Sequence, residues 1–269
     1  MPHGPVALFG SGETSNRGRR VHEALMARLR APVQVAIVET PAGFQPNVAV
    51  ISERLRAFFE QHLSNFRPEV RVVAARRRGG VYDPDSPTIV APLRRADYIF
   101  SGPGSPSYTA RHLAGTLALD LIRERWAGGA AVALASAAAI ASGRFTLPVY
   151  EIYKAGDDLS WLPGLDLFRE LGLDVTVLGH WNNTEGGADL DTTHCFMGAD
   201  RFRYLRHMLP AETAVLAIDE HTACILDPAT GTASVSGAGK VTVLRRDHAE
   251  IFADSATFPF ALLRRPDGA

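Results

Sequence analysis

Short runs of apolar, often β-branched residues alternate with longer segments whose apolar positions recur at helical spacing, and this alternation organises the first half of the chain. Val6 to Phe9, Val33 to Val38, Val70 to Ala74 and Tyr98 to Ser101 read as strands. Between them, Arg19 to Arg30 places Val21, Leu25 and Leu29 on one helical face, and Asn47 to Leu63 carries Val50, Ile51, Leu55, Phe58 and Phe59. A shorter helix is expected within Ser86 to Arg95, with Pro87 near its first turn. One further helix, from about Ser107 to Trp126, returns the chain to an apolar strand that ends at Ser136.

Strands that are apolar throughout are buried on both faces, and alternation with helices makes them parallel. The expected class is therefore α/β, a three-layer doubly wound and mostly parallel sheet. The second half is less regular. Val175 to Leu178 is a strand ending at Gly179-His180, and Ala214 to Ile218 another, ending at Asp219-Glu220. Thr232 to Val235 and Lys240 to Arg245, joined through Gly237-Ala238-Gly239, read as a C-terminal β-hairpin. No repeat, low-complexity tract or linker divides the 269 residues, so one domain over 1–269 is expected.

Composition narrows the function classes. A net charge of -1 gives no electrostatic reason to expect nucleic acid or an anionic membrane as partner. The run Arg76-Arg77-Arg78 leads into Gly79-Gly80 with no interleaved aromatic residues and reads as a solvated loop. Two cysteines, Cys195 and Cys224, without CxxC spacing support neither a disulfide scaffold nor a zinc ribbon. The start of the chain, Met1-Pro2-His3-Gly4-Pro5, has no basic n-region, and no apolar run is long enough for a membrane span. A cytoplasmic location with reduced thiols is the expectation, and no cofactor motif is present.

The chemistry centres on Ser136, the one functional side chain in Ala130-Ala131-Val132-Ala133-Leu134-Ala135-Ser136-Ala137-Ala138-Ala139-Ile140. A hydroxyl between an apolar strand and a run of Ala fits a nucleophile at a strand-to-helix elbow, where only small neighbours avoid clashes. The competing reading is a core serine bonded to a helical carbonyl. In doubly wound sheets ligands bind beyond the carboxyl ends of the strands. Gly10-Ser11-Gly12, Gly102-Pro103-Gly104 and Ser136 all fall there.

An acyl-transfer site also needs a base, a group orienting it, and oxyanion donors. His180 emerges from a strand end and is the candidate base, followed by Trp181-Asn182-Asn183-Thr184-Glu185. The orienting acid is Glu151, alone among apolar residues in Leu147 to Lys154, or Glu220, at the end of a strand. The candidate oxyanion donors are the amides of Ala137 and Gly104, since Pro103 has no N–H. Arg201 could pair with a substrate carboxylate.

This ordered set resembles the S51 peptidases, which include dipeptidase E and cyanophycinase, within the class I glutamine amidotransferase-like superfamily. Gly102 to Ser105 and Ser136-Ala137-Ala138-Ala139 look like that family's Gly-rich turn and nucleophile elbow. Gly179-His180-Trp181-Asn182-Asn183-Thr184-Glu185-Gly186 resembles the segment bearing its catalytic His, followed by an Asn and a Glu-Gly pair. Glu151 matches the acid placement of the dipeptidase E branch, and Asp219-Glu220-His221-Thr222-Ala223 that of the cyanophycinase branch. The resemblance runs from about Val6 to Leu244 and is strongest to the type 1 glutamine amidotransferase-like proteins. It implies a flavodoxin-like layering and substrate-binding roles for Asn182, Asn183 and Glu185. Two positions depart from the pattern: Ala138 stands for the elbow Gly, and Pro103 interrupts the Gly-Gly turn.

The leading expectation is a serine hydrolase of peptide or amide bonds, with a small peptide or amide as partner and a homodimer left open. The alternative is an inactive member that binds a small ligand or a partner protein, motivated by Ala138 and Pro103. A third reading is metal-assisted hydrolysis through His180, Asp189, Asp191 and His194, although no motif fixes those residues together.

Overall fold

The computed structural model describes residues 3–246 and 248–265; Met1 and Pro2, part of the N-terminal segment read above, lie outside the described residues. The first half comprises β1 (Val6–Phe9), α1 (Asn16–Met26), β2 (Gln34–Val38), α2 (Val48–His62), β3 (Glu69–Val73), β4 (Tyr98–Ser101), α3 (Pro106–Leu113), α4 (Leu117–Ala127), β5 (Ala131–Ala135) and α5 (Ala137–Ser142). There follow β6 (Phe145–Thr146), β7 (Leu162–Pro163), β8 (Val175–Leu178), α6 (Gly198–Met208), β9 (Ala214–Ile218), β10 (Thr222–Asp227), β11 (Thr232–Gly237), β12 (Val241–Arg245), β13 (His248–Phe252) and β14 (Thr257–Pro259).

An eight-stranded sheet in the order β14-β11-β10-β1-β5-β4-β2-β3 forms the centre. From β1 to β3 along that order the pairings are parallel, and β10, β11 and β14 add an antiparallel flank. Alternate side chains of its strands face opposite ways, as strand geometry requires. Ala7, Phe9, Val35, Ile37, Tyr98 and Phe100 pack against Val21 and Leu25 of α1 and Phe58 and Phe59 of α2. Val6, Leu8, Val38, Ile99, Val132 and Leu134 pack with Leu119, Ile122 and Trp126 of α4. The chain is thus a mixed α/β fold with a large central sheet. No helix among the described residues is long and apolar enough to cross a membrane.

Three expectations are corrected. Ser107 to Trp126 is two helices, because Gly115 takes φ +64° and Thr116 caps α4 by accepting the Leu119 N–H. Within Ser86 to Arg95 the helical element is a 3-10 turn over Ala91–Arg95, which takes Pro92 rather than Pro87 into its first turn. The expected C-terminal hairpin is absent: β11 lies in the central sheet, whereas β12 lies in a second, four-stranded sheet ordered β13-β12-β9-β8. The link between them does not fold back on β11. Ala238 N–H donates to the His221 carbonyl (3.0 Å), Gly239 N–H to Thr222 Oγ1 (2.8 Å), and Lys240 N–H to Asp219 Oδ2 (2.8 Å), which ties the link to the turn between β9 and β10. Both connections cross between the sheets at one place, and β12 pairs instead with β9 and β13.

His22 is fully buried among Phe9, Phe58, Phe59 and Phe100. Its Nε2 lies 3.1 Å from the Glu13 carbonyl, which can only accept, so Nε2 carries the proton and Nδ1 accepts from the Tyr98 hydroxyl at 2.5 Å. Burial pushes its pKa down to about 4, the Glu13 carbonyl offsetting this in part. In the unfolded chain the imidazole protonates near 6.5. As pH falls from about 6.5 toward 4 the unfolded state therefore takes up a proton that the folded state refuses, and stability falls by ~3 kcal/mol. Urea unfolding at pH 7, 6, 5 and 4 should show this loss in the native protein and a shallower pH dependence in His22→Gln. Identical slopes would show that His22 stays uncoupled from folding.

Candidate active site

The elbow begins with five residues of β5, all buried, three of them alanine. Ser136 follows at φ 49°, ψ -112°, a backbone conformation that costs an L-residue of order 1–3 kcal/mol. Its N–H is held by the Phe9 carbonyl at 3.0 Å, and its carbonyl accepts from Ile140 at 2.9 Å, so α5 starts immediately after it. Ala137, Ala138 and Ala139 are buried, and the Ala138 methyl is accommodated in the core. The hydroxyl is not bonded to a helical carbonyl. Ser136 Oγ lies 2.8 Å from His180 Nε2.

His180 sits just past β8 at φ 51°, its N–H on the Gly10 carbonyl at 3.3 Å. Its Nδ1 lies 2.9 Å from Glu220 Oε1, at the end of β9. A carboxylate accepts, so Nδ1 carries the proton and Nε2 is free to accept from the Ser136 hydroxyl. Burial draws the Glu220 carboxyl upward, but hydrogen bonds from His180 and Asn183 outweigh it and hold the group below its ordinary pKa. Glu151 makes no hydrogen bond to the imidazole. It accepts from Ser107 Oγ instead.

The remaining sequence candidates divide. Ala137 and Gly104 line the same cavity as Ser136 and His180, a space of about 380 Å³. Among the described residues neither amide N–H has a protein acceptor. Gly104 takes φ +153°, and a Cβ there would lie 1.8 Å from the Pro41 carbonyl oxygen, so no other residue fits. Glu185 also lines the cavity. Asn182 and Asn183 face Glu220 rather than the space. Asn182 Oδ1 accepts the Glu220 N–H at 2.7 Å, and buried Asn183 donates Nδ2 to Glu220 Oε1 at 3.0 Å. Arg201 is absent from the wall, because its guanidinium holds the Met197 and Phe196 carbonyls at 2.6 and 3.0 Å. His180, Asp189, Asp191 and His194 form no metal-ligand group, nor do any three such side chains among the described residues. Asp191 is held by Thr193 and the Ala199 N–H, and His194 Nδ1 by the Thr193 hydroxyl.

The reading of the sequence missed Tyr150, Tyr153, Lys154, Cys195 and Phe196 on the cavity wall. Tyr150 to Lys154 could have been found as a cluster of aromatic and charged residues beside Glu151. The turn at His194, Cys195 and Phe196, all with positive φ, has no glycine to announce it.

No protein-family model matches the sequence, and no curated protein matches it. Solved structures do. A peptidase from an acI-B1 Actinobacterium superposes with a TM-score of 0.75 at 21% identity, over 96% of this chain and 97% of that one. A candidate Peptidase E protein from Listeria monocytogenes EGD-e gives 0.55 at 18% identity, over 90% and 98%. The chain shares their fold.

Cys195 brings a thiol to the same cavity wall, and burial pushes it up to about 12. Thiolate is the reactive form, so Cys195 is inert near neutral pH. Iodoacetamide at pH 8 should leave the folded protein unmodified over a period in which the urea-unfolded chain is alkylated at both cysteines, as read by mass spectrometry. Alkylation of Cys195 in the folded state would contradict this assignment.

Proposed function

We propose that the protein is a serine hydrolase of peptide or amide bonds, S51 peptidase-like, built on the flavodoxin-like, class I glutamine amidotransferase-like arrangement. The observation that carries this reading is the continuous hydrogen-bonded chain Ser136–His180–Glu220 at a strained elbow, beside two amide N–H groups without acceptors. A core serine needs none of these, and acyl transfer uses a nucleophile, a base, a group orienting that base and oxyanion donors in such an arrangement.

In this mechanism Ser136 Oγ attacks the carbonyl carbon of the substrate while its proton passes to His180 Nε2. Glu220 stabilises the imidazolium through Nδ1–H without taking the proton. The N–H groups of Ala137 and Gly104 receive the oxyanion. The C–N bond then breaks, and the leaving amine takes the proton from Nε2. Water attacks the acyl-enzyme, gives its proton to Nε2, and Ser136 leaves with that proton as the acid is released. Pro103 offers no N–H, but Gly104 does, and Ala138 fits within the core. Neither departure removes the Ser136 hydroxyl, its hydrogen bond to His180, or the N–H groups of Ala137 and Gly104.

Ser136→Ala should abolish hydrolysis of a peptide library while shifting Tm by no more than a few degrees, and a fluorophosphonate should label the native protein at Ser136 alone. Glu220→Gln should lower kcat by roughly 10²–10⁴, since the imidazolium loses its counter-charge. Full activity in Ser136→Ala would eliminate the mechanism.

A further inference from the structure

Of the three consecutive arginines, two have protein partners for their guanidinium groups. Arg76 donates Nε to buried Glu39 at 2.6 Å and stacks on Tyr82, and Arg78 donates to the Ala114 carbonyl. Arg77 has no side-chain partner among the described residues, and neither does Arg111 on α3. Both arginines line one open basin of about 470 Å³ with Phe44, Tyr108 and His112. A second basin, of about 450 Å³, shares Phe44, Tyr108 and Arg111 with it and shares Tyr150 with the Ser136 cavity. Three adjoining spaces thus run from the hydroxyl to the two arginines.

Charge is distributed unevenly along this groove. Glu151, in the middle basin, accepts from Ser107 through Oε1, while its Oε2 is buried without any partner. In the far basin the charged side chains are Arg77 and Arg111, both positive. Burial, then Arg111, Arg77 and Arg78, hold His112 below its usual pKa, and its Nδ1 accepts the Arg78 N–H at 3.4 Å.

We propose that this groove binds the C-terminal part of an extended peptide substrate, with Arg77 and Arg111 receiving its terminal carboxylate. The proposal rests on the Ser136 cavity being the site of peptide cleavage. The aromatic wall of Phe44, Tyr108 and Tyr150 covers the intervening residues. The carboxylate is kept out of the middle basin by Glu151 and drawn to the far one. Pro106, on the wall of the first cavity, and Arg111 are five residues apart on α3, or about 7.5 Å along its axis. An extended peptide covers that span in roughly two to three residues. The preferred substrate is therefore longer than a dipeptide.

The test uses unblocked tetrapeptides, degenerate at the first two positions and ending in Ala-Ala, as free acids and as C-terminal amides. Binding to the Ser136→Ala protein is measured by equilibrium dialysis with mass-spectrometric readout. Free acids should bind at least tenfold more tightly than amides, and adding Arg77→Ala and Arg111→Ala should bring the two within twofold. Equal binding of acid and amide, a preference that survives the arginine substitutions, or no binding of the acids would each overturn the proposal. Because no turnover is involved, failure of the unmutated protein to cleave these peptides would count against the hydrolase reading alone.

Discussion

Two consecutive carbonyls of one strand end hold the nucleophile and base candidates. Phe9 receives the Ser136 N–H and Gly10 receives the His180 N–H, so the register between the two side chains is set by a single peptide unit. This is possible only because three backbones meet there without side chains between them. A Cβ on Gly10 would lie 2.2 Å from the Asp219 carbonyl oxygen, and one on Gly179 would lie 3.0 Å from the Gly10 oxygen. The two sheets join at this point. β8 and β9 deliver His180 and Glu220 from one sheet, and β1 and β5 deliver Ser136 from the other.

The parallel half of the fold was legible because its strands are apolar throughout and its helices carry one apolar face, signals that depend only on local burial. The C-terminal half was not, for a physical reason. β10, β11 and β12 alternate or mix polar and apolar residues, a pattern that states that a strand has a buried face but not which sheet buries it. The Gly237-Ala238-Gly239 link has the composition of a hairpin turn, yet its N–H groups go to Asp254, His221 and Thr222, each more than a dozen residues away in sequence. Turn chemistry reports flexibility of the backbone, and long-range acceptors decide where that flexibility is used.

Site residues followed a similar division. Ser136 and His180 were legible from their positions at strand ends, since a side chain there projects to the sheet's edge regardless of other contacts. The choice between Glu151 and Glu220 could not be made locally, because a carboxylate alone among apolar residues and a carboxylate at a strand end could each reach the imidazole. What separates them is the second layer. Asn182 and Asn183, read as substrate contacts, are spent on the backbone N–H and the carboxylate of Glu220. Glu151 has one serine and an unsatisfied oxygen. The Glu220 carboxylate takes two donors in fixed geometry, His180 Nδ1–H and Asn183 Nδ2–H, and so holds the imidazole in one tautomer, whereas Glu151 has the Ser107 hydroxyl as its one donor and none from the imidazole.

The backbone around the site is strained in a way that bears on how it could work. Of the ten non-glycine residues with positive φ among the described residues, six are Ser136, His180, His194, Cys195, Phe196 and His221. At roughly 1 kcal/mol or more each, their sum approaches the whole net stability of an ordinary domain. Each of the six nevertheless donates its N–H to a fixed acceptor. Phe9, Gly10, Trp181, His180 and Thr192 supply carbonyls, and Ser11 supplies its hydroxyl to His221. The strain is thus offset by hydrogen bonds, of which His180 N–H to the Gly10 carbonyl ties the end of β8 to the end of β1 across the two sheets. A constellation over-determined in this manner keeps its donors and acceptors aimed before any substrate arrives, which is the condition under which fixed dipoles stabilise developing charge most effectively.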